Sequence, residues 1–329
     1  MNKLFFLLLI LSIVSCSHRV KSPGFDPELS TFQYPFPVKE FRFEGQRQNL
    51  KMAYLYEVPE KSNGKAVLLL HGKNFGAWYW KNVMQVLLNE GYTVIAPDQI
   101  GFGKSTKPEV YQYSFHVLGL NTKRLLDSLN VKSVSVVGHS MGGMLASRFA
   151  LMYPGMTEKL VLINPIGLED WKRFVPYKGP GDLYQSELKA TSESIREYQR
   201  VSYYAGNWKP EYEEMIEAAK GQLLHPDYPV VSWNSALTSD MIFTQPVVYE
   251  FPDIKAKTLL IIGTRDRTAI GKDRVDEKLR SKLGNYEVLG KKAAKAIPGA
   301  KLVELPGIGH MPMIENFDGM MKPLLLFLK

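Results

Sequence analysis

Apolar residues along this chain come in short runs, separated by longer stretches in which they recur every three or four positions. Ala66–Leu70 and Leu160–Ile163 are wholly apolar, Thr93–Ala96 and Thr258–Ile262 open on a threonine, and Val134–Val137 and Leu302–Leu305 each carry one polar residue, Ser135 and Glu304. A strand buried on both faces reads this way, because neither side of its pleat meets water. Between the runs, Trp80, Val83, Met84, Leu87 and Leu88 keep helical spacing up to Gly91. Further helices are predicted over about Phe115 to Leu129, from Met141 to Met152 or Tyr153, and from Phe317 to Leu328. Lys39–Gly45 and Leu50–Val58 alternate instead, and the polar Gln46–Asn49 turn joins them as an antiparallel pair. Strands alternating with helices at this spacing predict an α/β fold, a mostly parallel sheet with helices on both faces.

The rhythm breaks after Asn164-Pro165. From about Ile166 to Pro252 the pattern gives helix and loop without a buried strand, and aromatics crowd in, among them Trp171, Tyr198, Tyr203, Tyr204 and Trp208. This stretch is expected to form a helical cap (166–252), inserted after the sixth strand and laid over the strand ends. It divides the core into a first part, 38–165, and a second, 253–329. Most of the cap aromatics are expected to pack its interior, while some, Trp171 among them, line the pocket that cap and sheet enclose. Gly271–Ala296 is expected to hold two short helices, or one helix and a surface insertion.

One junction stands out chemically. Val134-Ser135-Val136-Val137 runs into Gly138-His139-Ser140-Met141-Gly142-Gly143, so a buried strand turns abruptly into a helix at Ser140. Glycines at 138 and 142 let the backbone fold tightly around that serine, and the helix directs its first free N–H groups to the same place. His71-Gly72, Asp98 to Ser105, Gly263–Asp266 and Gly309-His310 also follow predicted strands. Functional residues of open α/β sheets gather at these carboxyl ends.

Taken in order, the five segments resemble those of the capped α/β-hydrolases, and the resemblance covers the chain from residue 38 onward. It implies that Ser140 is the nucleophile, His310 the general base and Asp266 the acid that orients the imidazole. It also implies that the backbone N–H groups of Met141 and Lys73 bind the oxyanion. Asp240 and Asp253 are the alternatives for the acid. His139 is expected to point away from Ser140, His71 to shape the oxyanion turn, and Asp98 to organise its loop. Lys73-Asn74 departs from the apolar residue or glycine usual after the His-Gly pair. Either Lys73 faces solvent and only its backbone works, or Lys73 or Asn74 holds a polar or anionic substrate group. Serine at the nucleophile position argues against haloalkane dehalogenase and epoxide hydrolase chemistry, which uses a carboxylate there. The implied activity is that of a serine hydrolase acting through an acyl-enzyme, on carboxylic esters first, with lactones, amides and C–C bonds open. The competing expectation is a non-catalytic binding module of the same fold at the cell envelope.

Composition changes the picture in two places. The 329 residues carry a formal charge of +8, spread along the chain without a basic block, which favours solubility or an anionic membrane surface over nucleic acid. No cofactor is expected: no metal-ligand cluster or phosphate loop is present, and Gly101-Phe102-Gly103 lacks the third glycine of a dinucleotide fingerprint. The partner expected is a small-molecule substrate with an apolar acyl part. At the amino end, Lys3 precedes the apolar run Leu4–Val14, which is too short to span a bilayer, since spanning takes about 20 residues. Residues 1–15 therefore read as an export signal. Ile13-Val14-Ser15-Cys16 resembles a bacterial lipobox, and Cys16 is the only cysteine, which excludes an intramolecular disulfide. The expectation is a lipidated Cys16, a tether over 16–37, and a lipid-anchored envelope location. Ser17 resembles outer-membrane sorting; a secreted or periplasmic protein is the alternative.

Overall fold

A computed structural model describes residues 24–329. An eight-stranded sheet runs through it in the order β1-β2-β4-β3-β5-β6-β7-β8. β1 (Val38–Gly45) and β2 (Gln48–Glu57) form the antiparallel edge. The parallel body consists of β3 (Ala66–Leu70), β4 (Thr93–Pro97), β5 (Val134–His139), β6 (Thr157–Ile163), β7 (Lys257–Gly263) and β8 (Lys301–Leu305). β6 begins at Thr157 rather than Leu160, because Lys159 pairs with Ser135 and Lys257 and so extends the ladder through residues that are not apolar.

Successive side chains of each buried strand feed two separate cores. Leu68, Leu70, Val136, Leu260 and Ile262 pack with helices α2 (Phe115–Ser128), α3 (Met141–Met152) and α9 (Tyr286–Ala296). Val67, Leu69, Val137, Leu259 and Ile261 pack with α1 (Lys81–Asn89) and α11 (Phe317–Leu328). This two-sided burial is why the strands lack polar alternation. Between β6 and β7 the chain makes α4 (Pro180–Glu187), α5 (Ser192–Ser202), α6 (Glu214–Leu223) and α7 (Tyr228–Thr244), with no strand among them. Between β7 and α9 lies one short helix, α8 (Glu277–Arg280); α10 (Pro312–Glu315) precedes α11.

Residues 24–37, expected as part of a tether, are packed on the domain instead. Leu29 and Phe32 are buried, and Phe32 sits edge-on to Trp78. Phe25 N–H donates to Gly221 O of α6 at 3.0 Å, and Lys104 Nζ donates to Leu29 O at 2.5 Å. Burying each such side chain is worth about 1.5–3 kcal/mol, which together with these hydrogen bonds holds down a segment whose prolines suggested a spacer. The expected export signal and Cys16 lie outside the described residues. Within those residues, no helix is long and apolar enough to cross a membrane.

Candidate active site

Strand register brings the site together. Leu70 pairs with Gly138, His139 with Ile163, and Ile163 with Ile261, so the residues that follow β3, β5, β6 and β7 emerge side by side. At the end of β5, Ser140 takes φ 57° and ψ −122°, a conformation unusual for a residue with a side chain. The tightness of the turn explains its glycines: a Cβ at Gly138 would lie 2.2 Å from Gly142 O, and one at Gly142 would lie 2.1 Å from Leu70 O. α3 starts at the next residue, Met141, whose N–H belongs to the first turn and has no partner within the helix. On the other side, the loop after β3 passes so close that a Cβ at Gly72 would come within 3.1 Å of Ser140 Cβ. The N–H of Lys73 belongs to that loop.

Ser140, His310 and Asp266 are joined by hydrogen bonds. His310 Nδ1 lies 2.7 Å from Asp266 Oδ2, and His310 Nε2 lies 2.9 Å from Ser140 Oγ. An ionised carboxylate can only accept, so Nδ1 carries the proton and Nε2 is left to receive the serine hydroxyl. Asp266 and His310 are fully buried, and Ser140 is only 5% exposed. Burial alone would raise the Asp266 pKa. The facing His310, together with hydrogen bonds from His310 and Thr268, outweighs it and holds the carboxyl below its ordinary value. Thr268 N donates to Oδ1 at 2.8 Å, and Asn164 Nδ2 donates to Oδ2 at 2.8 Å. Asn164 accepts Gly263 N–H with its own oxygen at 3.0 Å, which ties the end of β6 to the loop carrying Asp266.

The remaining histidines and acids are accounted for. His139 does turn away from Ser140. Its Nε2 lies 2.8 Å from the carbonyl oxygen of His310 and its Nδ1 3.1 Å from Tyr79 Oη, which in turn accepts Gly72 N–H at 3.2 Å. The carbonyl can only accept, so every proton in this chain is assigned: Gly72 N–H to Tyr79, Tyr79 O–H to His139, His139 N–H to His310. His71 Nδ1 lies 2.8 Å from Gly72 O while its Nε2 accepts Gln99 N–H, so it braces the turn before Lys73. Asp98 accepts from Lys104 N of its own loop, Tyr34 Oη of the amino-terminal segment and Ala77 N of the turn that follows β3. Asp240 is bonded to Tyr177, and Asp253 is exposed in a 3-10 turn. His116 is exposed, and His225 Nδ1 accepts Asp227 N–H. His18 lies outside the described residues.

Lys73 does not face solvent. Its side chain is 18% exposed and reaches the cap, where Nζ donates to Ser235 Oγ of α7 at 2.7 Å and lies 3.9 Å from Glu187 of α4. Asn74 Nδ2 donates to the hydroxyl of Tyr203 at 2.9 Å. Trp171 is buried in the core on the α3 side, with its indole N–H given to Glu169. Three neighbours of the site were not singled out in the sequence: Asn164, Tyr203 and Glu315. Glu315 accepts the N–H of Gly309 at 2.8 Å and pairs with Arg265, linking the residues just before His310 and Asp266. The available signals were the break in rhythm at Asn164-Pro165 and the run of cap aromatics to which Tyr203 belongs. Among the described residues, no group of His, Cys, Asp and Glu could hold a metal ion.

The profile of the alpha/beta hydrolase fold family matches residues 65–317. The chain belongs to that family. Among solved structures of the α/β hydrolase fold, a probable hydrolytic enzyme of Pseudomonas aeruginosa PAO1 is 50% identical with a TM-score of 0.92, covering 94% of this chain and 99% of the other. A 2-hydroxy-6-oxononadienedioate/2-hydroxy-6-oxononatrienedioate hydrolase of Comamonas testosteroni is 28% identical over 284 residues, 82% of this chain and 89% of the relative. A 2-hydroxy-6-oxo-6-phenylhexa-2,4-dienoate hydrolase of the same organism is 30% identical over 230 residues, 65% of this chain and 76% of the relative.

Proposed function

We propose that this α/β hydrolase is a serine hydrolase that attacks a carbonyl carbon with Ser140 and passes through an acyl-enzyme, with carboxylic esters as its first substrate class. The supporting observation is the run of bonds from Ser140 through His310 to the buried Asp266. His310 Nε2 takes the hydroxyl proton as Ser140 Oγ adds to the carbonyl, and then delivers it to the leaving oxygen. Asp266 keeps the tautomer and offsets the positive charge on the imidazolium. The N–H groups of Met141 and Lys73 receive the oxyanion, and losing one such donor raises a barrier by about 2.7–4 kcal/mol in other enzymes. Water then repeats the sequence on the acyl-enzyme and releases the acid.

Cleavage of a carbon–carbon bond beside a ketone is the second reading. It is favoured by the two relatives named for oxo-dienoate hydrolysis and by the covered ammonium of Lys73, which could meet an anionic substrate group. A fluorophosphonate probe tests the shared premise: the wild type takes the label and Ser140→Ala does not. A folded wild type that takes none favours the binding-module alternative. Turnover of ester series from acetate to palmitate, set against a 2-hydroxy-6-oxo-dienoate, separates the two chemistries. Lys73→Ala is expected to raise KM for acidic substrates alone; a uniform rise dismisses the anionic contact. Cys16 is proposed to carry a lipid that anchors the chain at the cell envelope, which fatty-acid incorporation lost in Cys16→Ala would support.

A further inference from the structure

We propose that Tyr203, a residue of the cap, is a positioning residue for the His310 imidazole, so that the catalytic base is set jointly by cap and core. The proposal rests on the serine-hydrolase reading above and names a part of the same site.

Three contacts converge on Tyr203. Its carbonyl accepts the backbone N–H of His310 at 3.2 Å. Its ring centroid lies 4.6 Å from that of His310, the planes inclined by 30°. Its hydroxyl accepts Asn74 Nδ2–H from the loop that carries the Lys73 N–H. The backbone is shaped for this approach. α5 ends at Ser202, and the chain leaves through Ala205 at φ 51° and Gly206 at φ 87°. On the facing side a Cβ at Gly309 would lie 2.0 Å from Tyr203 O. The residue before the base is therefore glycine at a position where the cap backbone leaves no room for a side chain.

An imidazole needs this kind of support. Its terminal torsion is broad, so rotamer preference alone does not fix the ring plane. The bond from Nδ1 to Asp266 fixes one edge but leaves rotation about that bond open. The rings of His139, at 4.9 Å, and Tyr203 restrict that rotation and keep Nε2 aimed at Ser140. Tyr203 also offers a π face as the imidazole gains charge during proton transfer.

The test compares Tyr203→Phe, which keeps the ring and backbone contact, with Tyr203→Leu, which removes the ring. Fluorophosphonate labelling rate, kcat, KM and Tm are read on each. The expected result is Tyr203→Phe within about threefold of wild type, and Tyr203→Leu slower by about tenfold or more in labelling and kcat, with KM changed less than kcat. Tyr203→Met serves the same purpose if the leucine variant does not fold. Labelling of Tyr203→Leu at the wild-type rate overturns the proposal, as does a phenylalanine variant as slow as the leucine one. Loss of fold in both ring-less variants places the residue in the scaffold and also overturns it. A wild type that takes no label sinks the hydrolase reading, and this proposal with it; the other outcomes leave that reading standing.

Discussion

His139 is expected to make this protein less stable as pH falls, by an amount the structure sets. Its imidazole is fully buried, and burial together with the neighbouring His310 pushes its pKa down to about 3 from an ordinary 6.5. Both ring nitrogens are engaged, with Nδ1 accepting from Tyr79, so a second proton would have no acceptor and would break that bond. In the unfolded chain the same side chain protonates near its ordinary value. Between those two pKa values the unfolded state holds a proton that the folded state refuses, so folding loses stability as pH drops through that window. The slope is about 1.4 kcal/mol per pH unit, roughly 2 kcal/mol between about pH 6.5 and 5, and about 5 kcal/mol if the whole window could be reached. Above the ordinary histidine pKa the effect is absent. Urea unfolding at about pH 7 and pH 5 on wild type and His139→Gln isolates it, since every other titrating group is common to both. The variant should be weaker at neutral pH, having lost two buried hydrogen bonds, yet lose about 2 kcal/mol less on acidification. Parallel losses in the two proteins would refute the reasoning.

Two further substitutions probe how the loops are held. Asn164→Ala leaves Gly263 N–H without its acceptor, takes one of three donors from Asp266, and puts alanine at φ 38°; a loss of about 3–5 kcal/mol in urea unfolding is expected, with slower labelling of Ser140. Asp98→Ala orphans Ala77 N, Tyr34 Oη and Lys104 N; it should cost at least about 3 kcal/mol and expose residues 26–34 to proteolysis, whereas an uncleaved segment would show that its apolar contacts suffice.

The legible part of this chain is the part written in local pattern. Val134 to Gly143 discloses a strand, a turn and a helix because the glycines must stand where the backbone crosses itself, whereas the grouping of Ser140, Asp266 and His310 was implied by the resemblance to the capped α/β-hydrolases. Asn164 was not legible as a site residue, since its meaning depends on Ile163 pairing with Ile261 and thus on sheet register. Residues 24–37 were misread because three prolines weighed more than Phe25, Leu29, Phe32 and Tyr34, whose partners lie far along the chain in Trp78, Asp98 and Gly221. For Lys73 the sequence left two readings open, a solvent-facing side chain or a hold on a substrate group, and its partner Ser235 could not be guessed from a helix whose docking angle no local pattern records.

The contacts that escaped the sequence are mostly between cap and core, and they fall on the loops that hold Lys73 and His310. Lys73 reaches Ser235, Asn74 reaches Tyr203, and the Tyr203 carbonyl holds the N–H of His310. The amino-terminal segment adds a fourth link, bonded to Gly221 and Gln222 of α6 at one end and to Asp98 at the other. A cap displaced from the sheet must break the first three together, and they include bonds to both the loop after β3 and His310. The hydrogen-bonded run from Ser140 through His310 to Asp266 is therefore tied to the cap, and a substitution that loosens the cap also loosens the hold on His310.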